Sequence, residues 1–320
     1  MRSPVLHYGA DLDVDAFVDA STTEPWGDGL PFEPFDESAR VEALRQVGLD
    51  GAAPVGGLPI TAAELCALAL LAGCRPLLLP AVLGAVLAVD DHLAAAGRER
   101  ALDPEASRAV LLNGPARERL GVNFGLGLMG PGFPSNATIG RALQLALRYC
   151  GMGRSRQFGD PAQYTLAFGE DERQDWIPYH VQRGYAPADS TVSVFTYRKA
   201  GRVFDRTSRS VDQGLDKVAL YLRDYASATD WFGQQPLSML VAIGEEWRRQ
   251  FDDEGLTKTQ IRDEIFGRSV DPERPGRTPH FAAAADLSLV GCGGPADASI
   301  WFFVGTAGGP MIRQITDPKE

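Results

Sequence analysis

Apolar positions recur every three to four residues in some stretches of the chain and run unbroken over short stretches in others. After Asp36, the helical spacing of Val41, Leu44 and Val47 predicts a helix. Pro59-Ile60-Thr61-Ala62-Ala63-Glu64 then opens an apolar run that ends at Ala72 and Gly73. Thr61 followed three residues later by Glu64 is a capping-box signature, and Gly73 is a stop signal. Pro76 or Pro80 starts a second apolar helix, predicted to reach about Ala96. The aliphatic run at 109–113 reads as a buried strand turning at Asn113-Gly114-Pro115. A glycine-rich stretch, 121–136, leads into a helix with Ile139, Leu143, Ala146, Leu147 and Cys150 on one face and Arg141, Gln144 and Arg148 on the other.

Beyond Gly151 strand composition takes over at 164–168 and 191–197, and more weakly at Val203-Phe204. Residues 212–226 predict an amphipathic helix, 236–243 a strand, 244–251 and 258–266 two helices, and 300–304 a last strand. Alternating strands and helices predict an α/β fold with a mixed, mainly parallel sheet covered by helices, one large domain built from two intimately packed halves. No internal repeat is read. Residues 1–35 form an N-terminal arm that packs on the body or on a partner through Phe17, Trp26, Phe32 and Phe35, and 36–320 form the α/β catalytic domain.

Composition narrows the function classes. The 320 residues carry a formal net charge of −11 with a pI near 4.9, which disfavours nucleic-acid binding. The apolar stretch 60–89 is broken by Glu64, Arg75, Pro76 and Pro80, which predicts two helices and no membrane span. The N-terminus shows no signal-peptide pattern, so a cytoplasmic location is expected. Cys66, Cys74, Cys150 and Cys292 lie in no metal-binding spacing and read as reduced, mostly buried thiols. His7, His92, His180 and His280 stand apart, so no metal site is expected.

Gly125, Gly127 and Gly130 form a literal GxGxxG, but Pro131 and Pro134 intervene before the helix, and no nicotinamide or flavin is expected. The loop still predicts an anion site, built from the backbone N–H groups of Gly130, Gly132 and Asn136 at a helix start, with Arg141 one turn on. The alternative for Arg141 is a pair with a surface carboxylate. Asn113 and Asn123 are candidate amide donors to a substrate or simply turn residues. Glu170-Asp171-Glu172, Trp176, His180 and Arg183, with Asp189 and Ser190 a little further on, form a second polar cluster, in which Glu170, Glu172 or His180 is a candidate general base and a solvated acidic loop is the alternative.

A resemblance rests on blocks that recur in order. These are Ala72-Gly-Cys-Arg-Pro76, Asn113-Gly-Pro115, Leu120-Gly-Val-Asn123, Gly130-Pro-Gly132, Asn136-Ala-Thr-Ile-Gly-Arg141, Gly159-Asp-Pro161 with Tyr164, Glu170 through Trp176, His180-Val181 and Arg183-Gly184. Over most of 59–310 the chain resembles the large proteins associated with the UGSC-motif (seleno)protein family. It departs from them in lacking Cys-Gly-Ser-Cys, and in having Ala63 and Leu68 where a glutamate and an asparagine are expected. Within that group it looks like the large subunits of aziridine-forming enzymes, such as serve azinomycin biosynthesis. That likeness implies a cofactor-independent, metal-free cyclase of antibiotic biosynthesis, in which an amine displaces sulfate within one intermediate. Its implied partners are a small protein subunit, giving a heterodimer, and an amino-group carrier protein bearing the substrate. The alternatives are the large component of a thiol- or selenol-dependent reductase, and a non-catalytic scaffold subunit.

Overall fold

In the computed structural model, residues 13–96, 107–152, 166–172, 176–227, 238–269, 283–305 and 310–316 are described. The predicted elements at 109–113, 191–197, 212–226, 244–251, 258–266 and 300–304 all form, and strands form within 164–168 and 236–243. In chain order the elements are α1 (Val14–Thr23), α2 (Glu37–Val47), α3 (Ala62–Leu71), α4 (Leu79–Ala96), β1 (Ser107–Asn113), α5 (Ala116–Arg119), α6 (Pro134–Tyr149), β2 (Leu166–Gly169) and α7 (Tyr179–Gln182). Then follow β3 (Thr191–Phe204), α8 (Val211–Ser227), β4 (Met239–Gly244), α9 (Glu245–Asp253), α10 (Lys258–Ser269), β5 (Leu287–Cys292), β6 (Ser299–Gly305) and β7 (Met311–Gln314).

Local chemistry explains the helix ends. The Thr61 side chain accepts the Glu64 N–H while Glu64 reaches back to the Thr61 N–H at 2.7 Å, so the capping box is complete. Glu64 also accepts from the Tyr149 hydroxyl at 2.8 Å, which ties α3 to α6. The stretch Pro76–Ala95 is long and apolar enough to cross a membrane, with mean hydropathy 1.7, but 61% of it is buried inside the protein as a core helix.

Among the described residues the sheet has seven strands in the order β2-β1-β3-β6-β4-β5, with β7 beside the first half of β3. It is mixed and flanked by helices, but the expectation of a mainly parallel sheet is corrected. Only β1–β2 and β4–β5 run parallel, whereas β1–β3, β3–β6, β3–β7 and β4–β6 are antiparallel. In each parallel pair the chain passes through helices between the two strands, α5 and α6 between β1 and β2 and α9 and α10 between β4 and β5, as parallel pairing requires.

This order is a palindrome, and it corrects the reading that no repeat is present. β2-β1-β3 and β5-β4-β6 are the same unit twice: a first strand, a parallel neighbour after a helix, and an antiparallel third strand. The third strands are introduced by the same residues, Pro187-Ala188-Asp189 before β3 and Pro295-Ala296-Asp297 before β6. In each unit the end of the first strand runs tightly against that aspartate. A Cβ on Gly114 would sit 2.0 Å from the Asp189 carbonyl oxygen, and one on Gly244 would sit 2.2 Å from that of Asp297.

The core follows from strand alternation. Val110, Leu112, Val192 and Val194 pack with α3, α4 and α6, while Met239, Val241, Ile300 and Phe302 pack with residues of α8, α9 and α10. The opposite faces of both units meet in a third cluster, where Phe168 stacks on Phe303 at 6.0 Å. The sheet therefore bends back on itself, and its two edges touch where the Asp171 N–H donates to the Gly291 carbonyl at 2.8 Å.

The described part of the N-terminal arm belongs to this body. Phe17, Trp26 and Phe32 are buried in the first core cluster, and Trp26 stacks on Phe32 at 5.0 Å. Using these aromatics as a partner surface is corrected, because exposing them would uncover the protein's own core.

Candidate functional site

β1 and β2 are parallel neighbours, and their carboxyl ends carry the polar cluster. Asn113 closes β1, and Glu170-Asp171-Glu172 extend β2. Side chains alternate along this extension, so Glu170 and Glu172 point one way and Asp171 the other.

On one side the Asn113 amide nitrogen donates to both carboxylates, at 2.6 Å to Glu170 and 2.8 Å to Glu172. Glu172 Oε1 also accepts the Gly114 N–H at 2.8 Å, and its Oε2 lies 3.2 Å from Arg117 Nη2. Glu170 accepts the Tyr179 N–H at 2.7 Å and pairs with Lys258 Nζ at 3.0 Å. Arg117 donates in addition to the Glu170 and Gly114 carbonyls and stacks over Phe124. A buried and a mostly buried carboxylate thus meet two buried cations, which is what burial of charge requires.

On the other side Asp171 pairs with Arg248 at 2.7 Å, and both side chains are 0% exposed. Arg248 also donates to the Asp171 and Cys292 carbonyls. Arg248 is the repeat counterpart of Arg117: each stands four residues beyond the end of its unit's first strand, at Gly244 and Asn113. Each donates to a carbonyl at the end of the neighbouring parallel strand, Arg117 to Glu170 and Arg248 to Cys292. The duplicated arginines hold the acidic tripeptide from both sides.

His180, in α7, is fully buried, and its Nδ1 lies 3.8 Å from Glu172 Oε1. That distance exceeds a hydrogen bond, and neither ring nitrogen has a hydrogen-bond partner among the described residues. Every carboxylate oxygen of Glu170 and Glu172 already faces a donor. The His180 ring nitrogens, unlike these carboxylate oxygens, face no donor.

The structure brings together Asn113, Glu170, Glu172 and His180, sets Trp176 at their margin beside Lys258, and separates the rest of the predicted set. Trp176 packs in the second unit's core and donates to Asp252 at 3.0 Å, with Lys258 Nζ 6.0 Å from its ring centre. The anion site at the glycine loop is corrected. Arg141 binds Asp28 at 2.7 Å and donates to the Leu30 carbonyl, so its charge is spent on the N-terminal segment. Asn123 and Asn136 bind each other: the Asn123 N–H donates to Asn136 Oδ1 at 2.8 Å and Asn136 Nδ2 returns to the Asn123 carbonyl at 2.9 Å. The Gly130 N–H closes a turn onto Gly127 at 2.7 Å, and Gly132 takes φ +102° with nothing near its missing side chain.

What the loop does is mechanical. The Asn123 carbonyl accepts the Gly169 N–H at the end of β2, and the Phe124 carbonyl accepts the Gly293 N–H just past β5. It straps the two sheet edges together directly beside Arg117. A Cβ on Gly169 would meet Phe124 at 3.1 Å, which is why a glycine fits there.

The residues that sequence reasoning missed are Arg117, Lys258 and Arg248. The repeat was the signal available for the arginines, since Pro-Ala-Asp recurs and an arginine follows each first strand at the same distance. Among the described residues no group of His, Cys, Asp and Glu is arranged to hold a metal ion. Compared with models of protein families and with curated proteins, the chain matches none of them.

Proposed function

We propose that this protein is a cofactor-independent enzyme of specialised metabolism that closes an aziridine ring on a carrier-bound amino-acid intermediate, working with a small protein subunit. The observation that carries the reading is His180, buried without a hydrogen-bond partner beside Glu172, in a cluster whose carboxylates are already occupied. A buried imidazole retained in that state is a functional group to be explained, and proton transfer explains it. The nitrogen lone pair of the amine attacks the carbon bearing sulfate. The C–N bond forms, the C–O bond breaks, and sulfate leaves with the electron pair. The proton lost by nitrogen goes to His180 and from there to solvent. The reaction class comes from the resemblance, and the cluster supplies the base and the rigid frame.

The reductase alternative needs a reactive thiol, and burial pushes the Cys66 and Cys74 thiols up to about 12 and raises Cys292 as well. Buried thiols of this kind are poor nucleophiles, so this reading is left with the partly exposed Cys150 or a thiol on the partner. One experiment separates the two. Incubated with its partner subunit and a carrier-bound sulfated amine, the enzyme should release one sulfate per ring. The rate should be unchanged by reductant or by alkylation of accessible thiols. A requirement for reductant, with no sulfate released, would favour the reductase.

A further inference from the structure

We propose that Asn113, His180, Thr191 and Ser193 form the seat of a neutral primary amine, with Thr191 and Ser193 as substrate-orienting residues of this site. Asn113 and Thr191 are register partners across β1 and β3, and Leu111 and Ser193 are the next pair on the same face. Alternation turns Val192 and Val194 toward the helices, and therefore Thr191 and Ser193 toward the interior cluster that holds Leu111 and Phe195. Four side chains on this interior end are buried with unused polar atoms: Asn113 Oδ1, both ring nitrogens of His180, Thr191 Oγ1 and Ser193 Oγ. Asn113 and His180 lie against the same carboxylate oxygen, Glu172 Oε1, at 2.8 and 3.8 Å. Glu172 is the partly exposed member of the cluster, the side from which a ligand would have to enter.

The chemistry of these atoms selects the ligand. The Asn113 amide orientation is fixed, because its nitrogen donates to two carboxylates and its oxygen is left facing away from them. That oxygen only accepts, so the ligand must donate. A neutral imidazole accepts at one nitrogen, and the two hydroxyls adapt to either role. A primary amine meets this set with its two N–H groups shared among Asn113 Oδ1, His180 and the two hydroxyls, all of them accepting, and keeps its lone pair unbound. An anion would meet an acceptor oxygen and two carboxylates and is rejected. An amine held with its lone pair free is a nucleophile poised for attack, so the inference deepens the cyclase reading and rests on it for the reaction, though not for binding.

The test uses 2,2,2-trifluoroethylamine, which is neutral at about pH 8, and trifluoroacetate as the anionic counterpart, with ¹⁹F NMR on the intact protein. The amine should show saturable binding and trifluoroacetate none. The Thr191→Val/Ser193→Ala double variant should weaken amine binding by about tenfold or more, as expected for lost hydrogen bonds. The single Ser193→Ala variant should show a smaller loss, and it serves alone if the double variant does not fold. Preference for trifluoroacetate, or amine binding unchanged in a folded variant, overturns the proposal. Amine binding without sulfate release from the carrier-bound substrate leaves this seat standing and defeats the cyclase reading. Sulfate release at an unaltered KM in the variants defeats the seat and leaves the cyclase reading in place.

Discussion

Replacing Arg248 with methionine is expected to destabilise the protein by about 3–5 kcal/mol, the cost of stranding a buried charge. Arg248 and Asp171 are each 0% exposed and 2.7 Å apart, so the substitution takes the Arg248 charge away from a carboxylate that is closed off from water. Urea unfolding should show the loss as a lower midpoint at an unchanged slope. Adding Asp171→Asn should recover a large part of it, since the double variant buries no unpaired charge. A midpoint within error of the wild type would show that the pair is solvated. The consequence reaches the site, because Asp171 lies between Glu170 and Glu172, and the clamp on it sets where both carboxylates point.

Glu172→Gln is the second large effect. Glu172 receives the Asn113 amide, the Gly114 N–H and Arg117, and it stands beside His180. Glutamine keeps the shape but sets an NH₂ group against donors and leaves Arg117 with no carboxylate from this side. Both stability and turnover should fall: stability by about 3 kcal/mol and sulfate release by about a hundredfold or more, as for loss of a group that supports general base catalysis. Turnover is measured well below the variant's melting temperature, so that folded protein alone is compared. A hundredfold loss that merely tracked the unfolded fraction would contradict a role in the reaction.

Much of the secondary structure was legible because its signals are local. Thr61 and Glu64 announce a helix start from four adjacent positions, and the run ending at Asn113 announces a strand and its turn. Strand direction was not legible, since alternation is identical in parallel and antiparallel ladders. The short strands β5 and β7 and the helix α1 escaped because each is brief and completed by tertiary packing. Glu170, Glu172 and His180 stood out as polar residues just past a strand. Arg117, Arg248 and Lys258 did not, because a basic residue on a helix reads as solvated until the fold shows it buried. The glycine loop misled for a related reason. Its pattern suits anion binding, but Arg141 is claimed by Asp28, a residue far away in the sequence.

The most direct test of the account is sulfate release by His180→Gln, compared with the wild type under conditions where both melt at the same temperature. A hundredfold to ten-thousandfold lower rate in a fully folded variant is the predicted result. A rate within a few-fold of the wild type would remove His180 from the reaction and the account with it.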